Sequence, residues 1–388
     1  MKKQPGHGVV VAGTGTFLPG DPVPYAEADR FLGEFEEVSD DFKRWYSRAR
    51  RTMKELLAIE HYHYALDPVT KKATETPSTM AAKAGKMAIE AAGLRPEDID
   101  ILFYAGATQD CFITPPTSTF VQQHLGIPRC AEMSIHSNCT STYKALQVAA
   151  DQIAYGRYRT ALVTSANMVS VSNLASSFAQ QHLTKNQAML RWFLSDGAGA
   201  IVLTRDDGRP QGLEVVDTFV ESLGVAREPH MYAMFGSADN PIEAVSKGLH
   251  HVSQDFAQVS SIGPAFFVDG FFRFAEQLGI DPTDLDVLEQ IPYVLVNLPS
   301  DHLLETGMED WSGRVKMPVE KLKERYYSTV AGRGYTGPAA VLITLDELLR
   351  KGKLGHGQHV MSLVTESSKW MNAGFMMKYR DQPSGAAL

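Results

Sequence analysis

The chain is 388 residues long, 44% of them apolar, with a net charge of −8. That length buries a large core and calls for two to three domains or one large duplicated α/β unit. Charge is spread without long like-sign runs, so no nucleic-acid surface is expected; no window approaches ~18 uninterrupted apolar residues, so no transmembrane helix is expected either.

The N-terminus, MKKQPGHGVVVAGTGTFLPG, is basic and then apolar. Its apolar run is short and interrupted by Gly and Thr, unlike a signal peptide. Gly8–Thr14 is a Val-rich strand. Residues 22–64 are charged and aromatic and read as helices within a surface insertion. Inside it, Lys43–Lys54 (KRWYSRARRTMK) is the densest positive patch. It is either a solvated helix face or a landing site for an acidic carrier protein or a phosphorylated cofactor.

Ser78–Ala92 has helical spacing of Ala, Met and Ile, a cap at Thr76 or Ser78 and a stop at Gly93. Ile99–Tyr104 is a short strand. Thr117–Leu125 is a helix ended by Gly126 and Pro128. Glu132–His136 is a strand, Cys139–Ile153 a helix, Thr160–Ala166 and Gly197–Thr204 further strands. Arg205–Gly212 (RDDGRPQG) is the best boundary. The second half repeats the theme: a helix at Phe271–Leu278, a strand at Tyr293–Asn297, a long helix at Gly337–Arg350, and strands at His359–Thr365 and Ala373–Tyr379. This alternation predicts a layered α/β architecture.

The three cysteines, Cys111, Cys130 and Cys139, show no paired spacing. They fit free thiols in a reducing cytoplasm rather than a disulfide framework. No CxxC pair or His/Cys cluster has zinc spacing, so no metal is expected. Cys139 stands apart from the other two. In Ser134–Leu146 (SIHSNCTSTYKAL) a strand runs into a tight turn and a helix opens at the cysteine. A thiol there feels the positive end of the helix dipole, which favours thiolate. Free N–H groups of the first turn can hold an oxyanion. Cysteine suits acyl transfer because it is strongly nucleophilic and its thioester stays reactive. Alone, the pattern more often marks a small buried cysteine.

The surrounding motifs decide between these. SNCTSTYKAL followed by AYGRYRTALVTSAN resembles the nucleophile region of β-ketoacyl-ACP synthase III enzymes. Leu194–Leu203 (LSDGAGAIVL) resembles that family's GDGAGAVVL strand. Thr79–Leu94 and Ile99–Thr108 are similar to its helix and strand before the pocket loop. Gly334–Gly357 (GYTGPAAVLITLDELLRKGKLGHG) is similar to its last helix. The matches run in order over nearly the whole chain.

The resemblance implies a five-layered αβαβα thiolase fold from two duplicated halves: 1–206 carrying the nucleophile and 207–388 carrying the base. It also implies a homodimer and a ping-pong reaction. An acyl group passes from CoA or acyl carrier protein to Cys139, then to a second substrate by carbon–carbon bond formation or to oxygen or nitrogen. No tightly bound cofactor is implied. The alternative of another class is a non-catalytic thiolase-fold partner of an active paralogue.

Several positions depart from the family. Its histidine motif aligns with Val294–Leu304 (VLVNLPSDHLL), putting Ser300 at the histidine position. His302, two residues on, is the expected base, with Asn297 or Asp301 orienting its ring. The family's asparagine becomes Tyr335, which either donates to the substrate or fills the pocket. The Gly-rich loop near the C-terminus becomes Glu366–Trp370 (ESSKW); the backbone of Ser367 or Ser368 takes the oxyanion role, and Glu366 is either a carboxylate near the site or, the favoured reading, a strand-end charge. Ala58–His63 (AIEHYH) lacks the arginines that grip CoA phosphates in many relatives. Tyr62–Pro68 (YHYALDP) is similar to specialised-metabolism relatives. In the pocket loop Gln109–Thr117 (QDCFITPPT), Thr114 stands where enzymes that join two acyl chains carry Glu. Phe112 and Phe120 are expected to line the pocket or the dimer seam.

Overall fold

The computed structural model describes residues 6–208, 211–233, 235–299 and 301–381, without the side chains of 301–304 and 306. Ten strands form one mixed sheet. In chain order they are β1 (Val9–Phe17), β2 (Ile101–Ala105), β3 (Ala131–Ile135), β4 (Thr160–Asn167), β5 (Gly197–Arg205), β6 (Gly212–Ser222), β7 (Tyr293–Val296), β8 (Tyr326–Tyr327), β9 (His359–Glu366) and β10 (Met371–Arg380). Their spatial order is β8-β7-β9-β10-β6-β1-β5-β4-β2-β3.

That order is the same motif written twice. In the first half the fifth strand lies antiparallel between the first and the fourth. The fourth, second and third then run parallel. The second half repeats this in β6, β10, β9, β7 and β8. The two sets join only through Val10 and Val11 of β1, paired with Glu214 and Leu213.

The longer helices are α1 (Asp40–Leu57), α2 (Pro77–Ala91), α3 (Thr117–Leu125), α4 (Ser141–Ala154), α5 (Phe256–Leu278), α6 (Asp301–Val315) and α7 (Ala340–Arg350). α2 and α3 cover the outer face of the first set of strands, and α5 that of the second. α4 and α7 lie between the two sets and touch strands of both. The inner strands β2, β4 and β5 are therefore buried on both faces. Along β2, Ile101, Phe103 and Ala105 face the central layer, and Leu102 and Tyr104 face the outer one. The α2–β1 contact is close because both sides are small. A Cβ on Gly15 would lie 2.2 Å from the Ala84 carbonyl oxygen.

Several elements differ from the sequence reading. α5 runs 23 residues, far beyond the predicted Phe271–Leu278, because Gly263, Pro264 and Gly270 break its pattern. Packing against β9, β10 and α6 holds it helical all the same. β6 and α6 were not anticipated. In α6 the buried Met308, Trp311 and Val315 do follow helical spacing, but polar and glycine residues surround them. α4 begins at Ser141, not at Cys139.

Candidate active site

β3 ends at Ile135, and a turn carrying Asn138, Cys139 and Thr140 leads into α4. No side chain of this segment caps the helix. The cap comes from the far end of the sequence. Glu366, the last residue of β9, is buried beneath the turn. Its carboxylate accepts hydrogen bonds from the backbone N–H of Asn138 (3.2 Å) and Thr140 (2.8 Å), from the Thr140 hydroxyl (2.6 Å), and from the Ser137 hydroxyl (3.1 Å). The Ser368 hydroxyl also donates to it. The Lys144 ammonium donates to Ser137 Oγ at 2.9 Å.

This overturns two expectations. Glu366 is not an idle strand-end charge: it fills the anion site at the start of α4. For the same reason the thiol is not activated by the helix. Burial, with the Glu366 charge nearby, pushes the Cys139 thiol up to about 12. The dipole that favours thiolate is already engaged by a carboxylate.

Cys139 Sγ lies 3.1 Å from the hydroxyl of Tyr335. That contact opposes the upward shift in part. Burial first, then the neighbouring Cys139, holds the Tyr335 phenol well above its ordinary range. Its backbone is fixed by a bond from Ser195 N to its carbonyl oxygen (2.9 Å). The Thr142 hydroxyl of α4 ties the same loop down through the Pro338 carbonyl oxygen (2.6 Å).

Cys139 and Tyr335 line a cavity of about 160 Å³. Its walls are mainly apolar, with Phe193, Val259, Phe267, Leu298, Trp311 and Trp370 prominent. Asn297 also lines it, immediately after β7. Its side chain is buried beside the Tyr143 hydroxyl, on which it acts as a weak hydrogen-bonding neighbour, and its amide makes no close hydrogen bond. The sequence reading gave Asn297 only a role in orienting His302. Its position at a strand end beside the family's histidine region was the available signal.

The remaining site residues fall as follows. His302 lies in the first turn of α6, and its side chain is outside the described residues, as is Ser300. Among the described side chains no histidine lines the cavity. His230 accepts a bond from Trp370 Nε1 through Nδ1 (3.0 Å), one layer behind the wall. Phe112 and Thr114 do not line the cavity of their own chain. They sit on an exposed loop, Phe112 72% exposed and stacked on Phe235. Ser368 serves Glu366; its neighbour Ser367 lines the cavity.

In the basic stretch of α1, Arg50 turns inward to Asp29 (3.0 Å) and Arg44 pairs with Asp41, which leaves the other basic residues as a solvated face. Among the described residues no group of three His, Cys, Asp or Glu is arranged to hold a metal. No described helix is long and apolar enough to cross a membrane.

The model of the 3-oxoacyl-[acyl-carrier-protein (ACP)] synthase III family matches residues 133–224, which include the Cys139 turn and α4. A β-ketoacyl-[acyl-carrier-protein] synthase III of Caldanaerobacter subterraneus subsp. tengcongensis is 26% identical over 359 residues, covering 91% of this chain and 93% of its own. Among solved structures, the tetronic acid condensing enzyme AbyA1 superposes with a TM-score of 0.76 at 24% identity, covering 95% of this chain and 99% of that one. The 3-oxoacyl-[acyl-carrier-protein] synthase III of Aquifex aeolicus gives 0.71 at 19%, covering 96% and 100%.

Twin strand sets around a shared helical layer, with a cysteine at the head of a central helix, are the fold of these condensing enzymes. In its Cys139 segment and over most of its length the chain is similar to β-ketoacyl-ACP synthase III enzymes.

The electrostatics of the turn set a measurable pH dependence. With its folded pKa raised, Cys139 stays a neutral thiol through the neutral range and becomes thiolate only as pH climbs toward 12. Alkylation by iodoacetamide, read at Cys139 by peptide mass spectrometry, is therefore expected to rise without a plateau to at least about pH 10. Glu366→Gln removes the charge that, after burial, raises the thiol pKa and should speed the reaction at pH 8. A wild-type plateau below pH 9 would contradict this account.

Proposed function

We propose that Cys139 is acylated by an acyl thioester and hands the acyl group to a second substrate. The observation that carries this is a nucleophile opening onto an apolar cavity, its sulfur in contact with the Tyr335 hydroxyl. In the first step Sγ adds to the thioester carbonyl carbon. The donor's carbon–sulfur bond breaks, and the donor leaves as a thiol, taking up the proton that Cys139 gives up. Tyr335 stands where it can relay that proton. No metal or redox partner enters the balance. In the second step the acceptor attacks the acyl carbon and Cys139 regains its proton. Likeness to condensing enzymes favours an acceptor carbanion and Claisen-type bond formation; Tyr335 in place of the family's asparagine favours transfer to oxygen or nitrogen instead.

We assign the base of the second step to His302, at the start of the helix that gives Gly307 and Trp311 to the cavity. The donor is acyl-CoA or acyl carrier protein. The halves 1–206 and 207–388 are taken as the two structural units, supported by the repeated strand order. The protein is taken to act as a homodimer. β3 is an uncovered sheet edge beside the exposed loop of Phe112 and Thr114, and such edges are normally paired or protected. A second reading, a thiolase-fold partner of an active paralogue, is favoured by the altered histidine and asparagine positions of the family, Ser300 and Tyr335.

Intact-protein mass spectrometry after incubation with a panel of acyl-CoA and acyl-carrier thioesters is expected to give a single acyl adduct, absent in Cys139→Ala. No adduct with any donor supports the partner-subunit reading; an undiminished adduct in the variant removes Cys139 from the mechanism. With the acceptor present, His302→Ala should slow discharge of the adduct by roughly 10²–10⁴, the scale of losing a general base, while loading falls much less. Equal effects on both steps would remove His302 as the base. Sedimentation at micromolar concentration should give twice the chain mass; a lone monomer would count against the dimer.

A further inference from the structure

Val259, Gly263 and Phe267 follow one another at four-residue spacing on α5, so they share one face of the helix. All three line the cavity that holds Cys139. Gly263 is the one member of this stripe without a side chain. A Cβ built on it would meet no heavy atom within 4 Å beyond its chain neighbours. Gly270, further along the same helix, is different: a Cβ there would lie 2.5 Å from Asn372 Nδ2, so packing demands glycine. Packing against other elements makes no such demand at Gly263, nor does a positive φ.

Glycine inside a helix is destabilising relative to alanine. One local reason for it exists here. Pro264 follows, and a Cβ before proline crowds the ring in helical geometry. Glycine relieves that clash, and it also leaves space. The space lies where α5 meets α6: a Cβ on Gly307 of α6 would come within 3.2 Å of Pro264 Cβ, and Gly307 and Trp311 line the same cavity. Backbone replaces side chain on both helices at this crossing.

We propose that Gly263 sets how far an apolar chain extends from Cys139, and so selects the length of the acyl group. The inference rests on the acyl-transfer reading above, but its test does not. N-methyl, N-hexyl and N-dodecyl iodoacetamide alkylate a thiol directly: the sulfur displaces iodide and the thiol proton leaves to solvent. Their rates at Cys139 are read by peptide mass spectrometry, which separates it from Cys111 and Cys130.

In the wild-type protein the dodecyl reagent is expected to react faster than the methyl one, because its chain is held in the cavity. Gly263→Ala carries the crowding before proline with little volume; Gly263→Leu carries both. Relative to Gly263→Ala, the dodecyl-to-methyl rate ratio in Gly263→Leu should fall by about tenfold or more, the loss expected when about two methylenes no longer find a buried site. If the leucine variant does not fold, Val259→Phe, one turn earlier and clear of the proline, should produce the same fall relative to wild type. A ratio that stays within about twofold, or a wild-type protein with no preference for the longer chain, overturns the proposal. If the thioester panel gives no adduct while the alkyl reagents keep this length dependence, the acyl-transfer reading fails and the role of Gly263 stands.

Discussion

The Glu366 carboxylate gripping the Cys139 turn ties the two halves of the molecule together at the one place where chemistry is expected. A helix start leaves backbone N–H groups without partners. In α4 these groups lie deep in the protein, where water cannot serve them. Glu366 takes the N–H of Thr140 at the head of the helix, that of Asn138 in the turn before it, and three hydroxyls besides. Because it ends β9, the position of the nucleophile follows the register of the second set of strands. That register is fixed by antiparallel pairing along all of β9 with β10. A shift of one residue would turn Glu366 to the opposite face and leave the turn uncapped.

The same contact sets the resting state of the sulfur. A carboxylate at the helix start takes up the favourable end of the dipole and adds its own negative charge. Burial acts in the same direction. The neutral thiol is then the stable form, held against the Tyr335 hydroxyl. Such a cysteine resists adventitious oxidation and alkylation, which need thiolate. It also makes the proton transfer that accompanies acylation part of the work of the site, rather than something settled beforehand. Tyr335 touches the sulfur directly, and Asn297 brings a buried amide to the cavity.

The duplicated strand order supplies the rest of the geometry. Two sets of five strands share the central layer of α4 and α7, and the nucleophile sits at the head of one of these helices. The outer helices α5 and α6 close the second half and shape the apolar cavity. The thiol and its surroundings thus come from the first half, while Glu366, Tyr335, Asn297 and most of the chain-facing wall come from the second. Neither half holds a complete site.

Local sequence was enough for much of this. The Val-rich, Ala-rich and Gly-ended runs of the first half follow local rules of periodicity and capping, so β1, β2, α2, β4 and β5 were legible. The cysteine stood out because a strand, a turn and a helix meet there within a few residues. Tyr335 was legible as a departure from a motif, though its distance from the sulfur was not. α5 was hidden because Gly263, Pro264 and Gly270 oppose a helix locally, and only packing against β9, β10 and α6 overrides them. The role of Glu366 was hidden for another reason. Two residues 227 positions apart share no local signal, and a strand-end carboxylate looks the same in sequence whether it meets water or a helix start. Composition and order thus pointed to a duplicated α/β protein with Cys139 as its candidate nucleophile. Tertiary structure decided which charge faces that cysteine, because the field at a buried atom depends on distances that only the folded chain fixes.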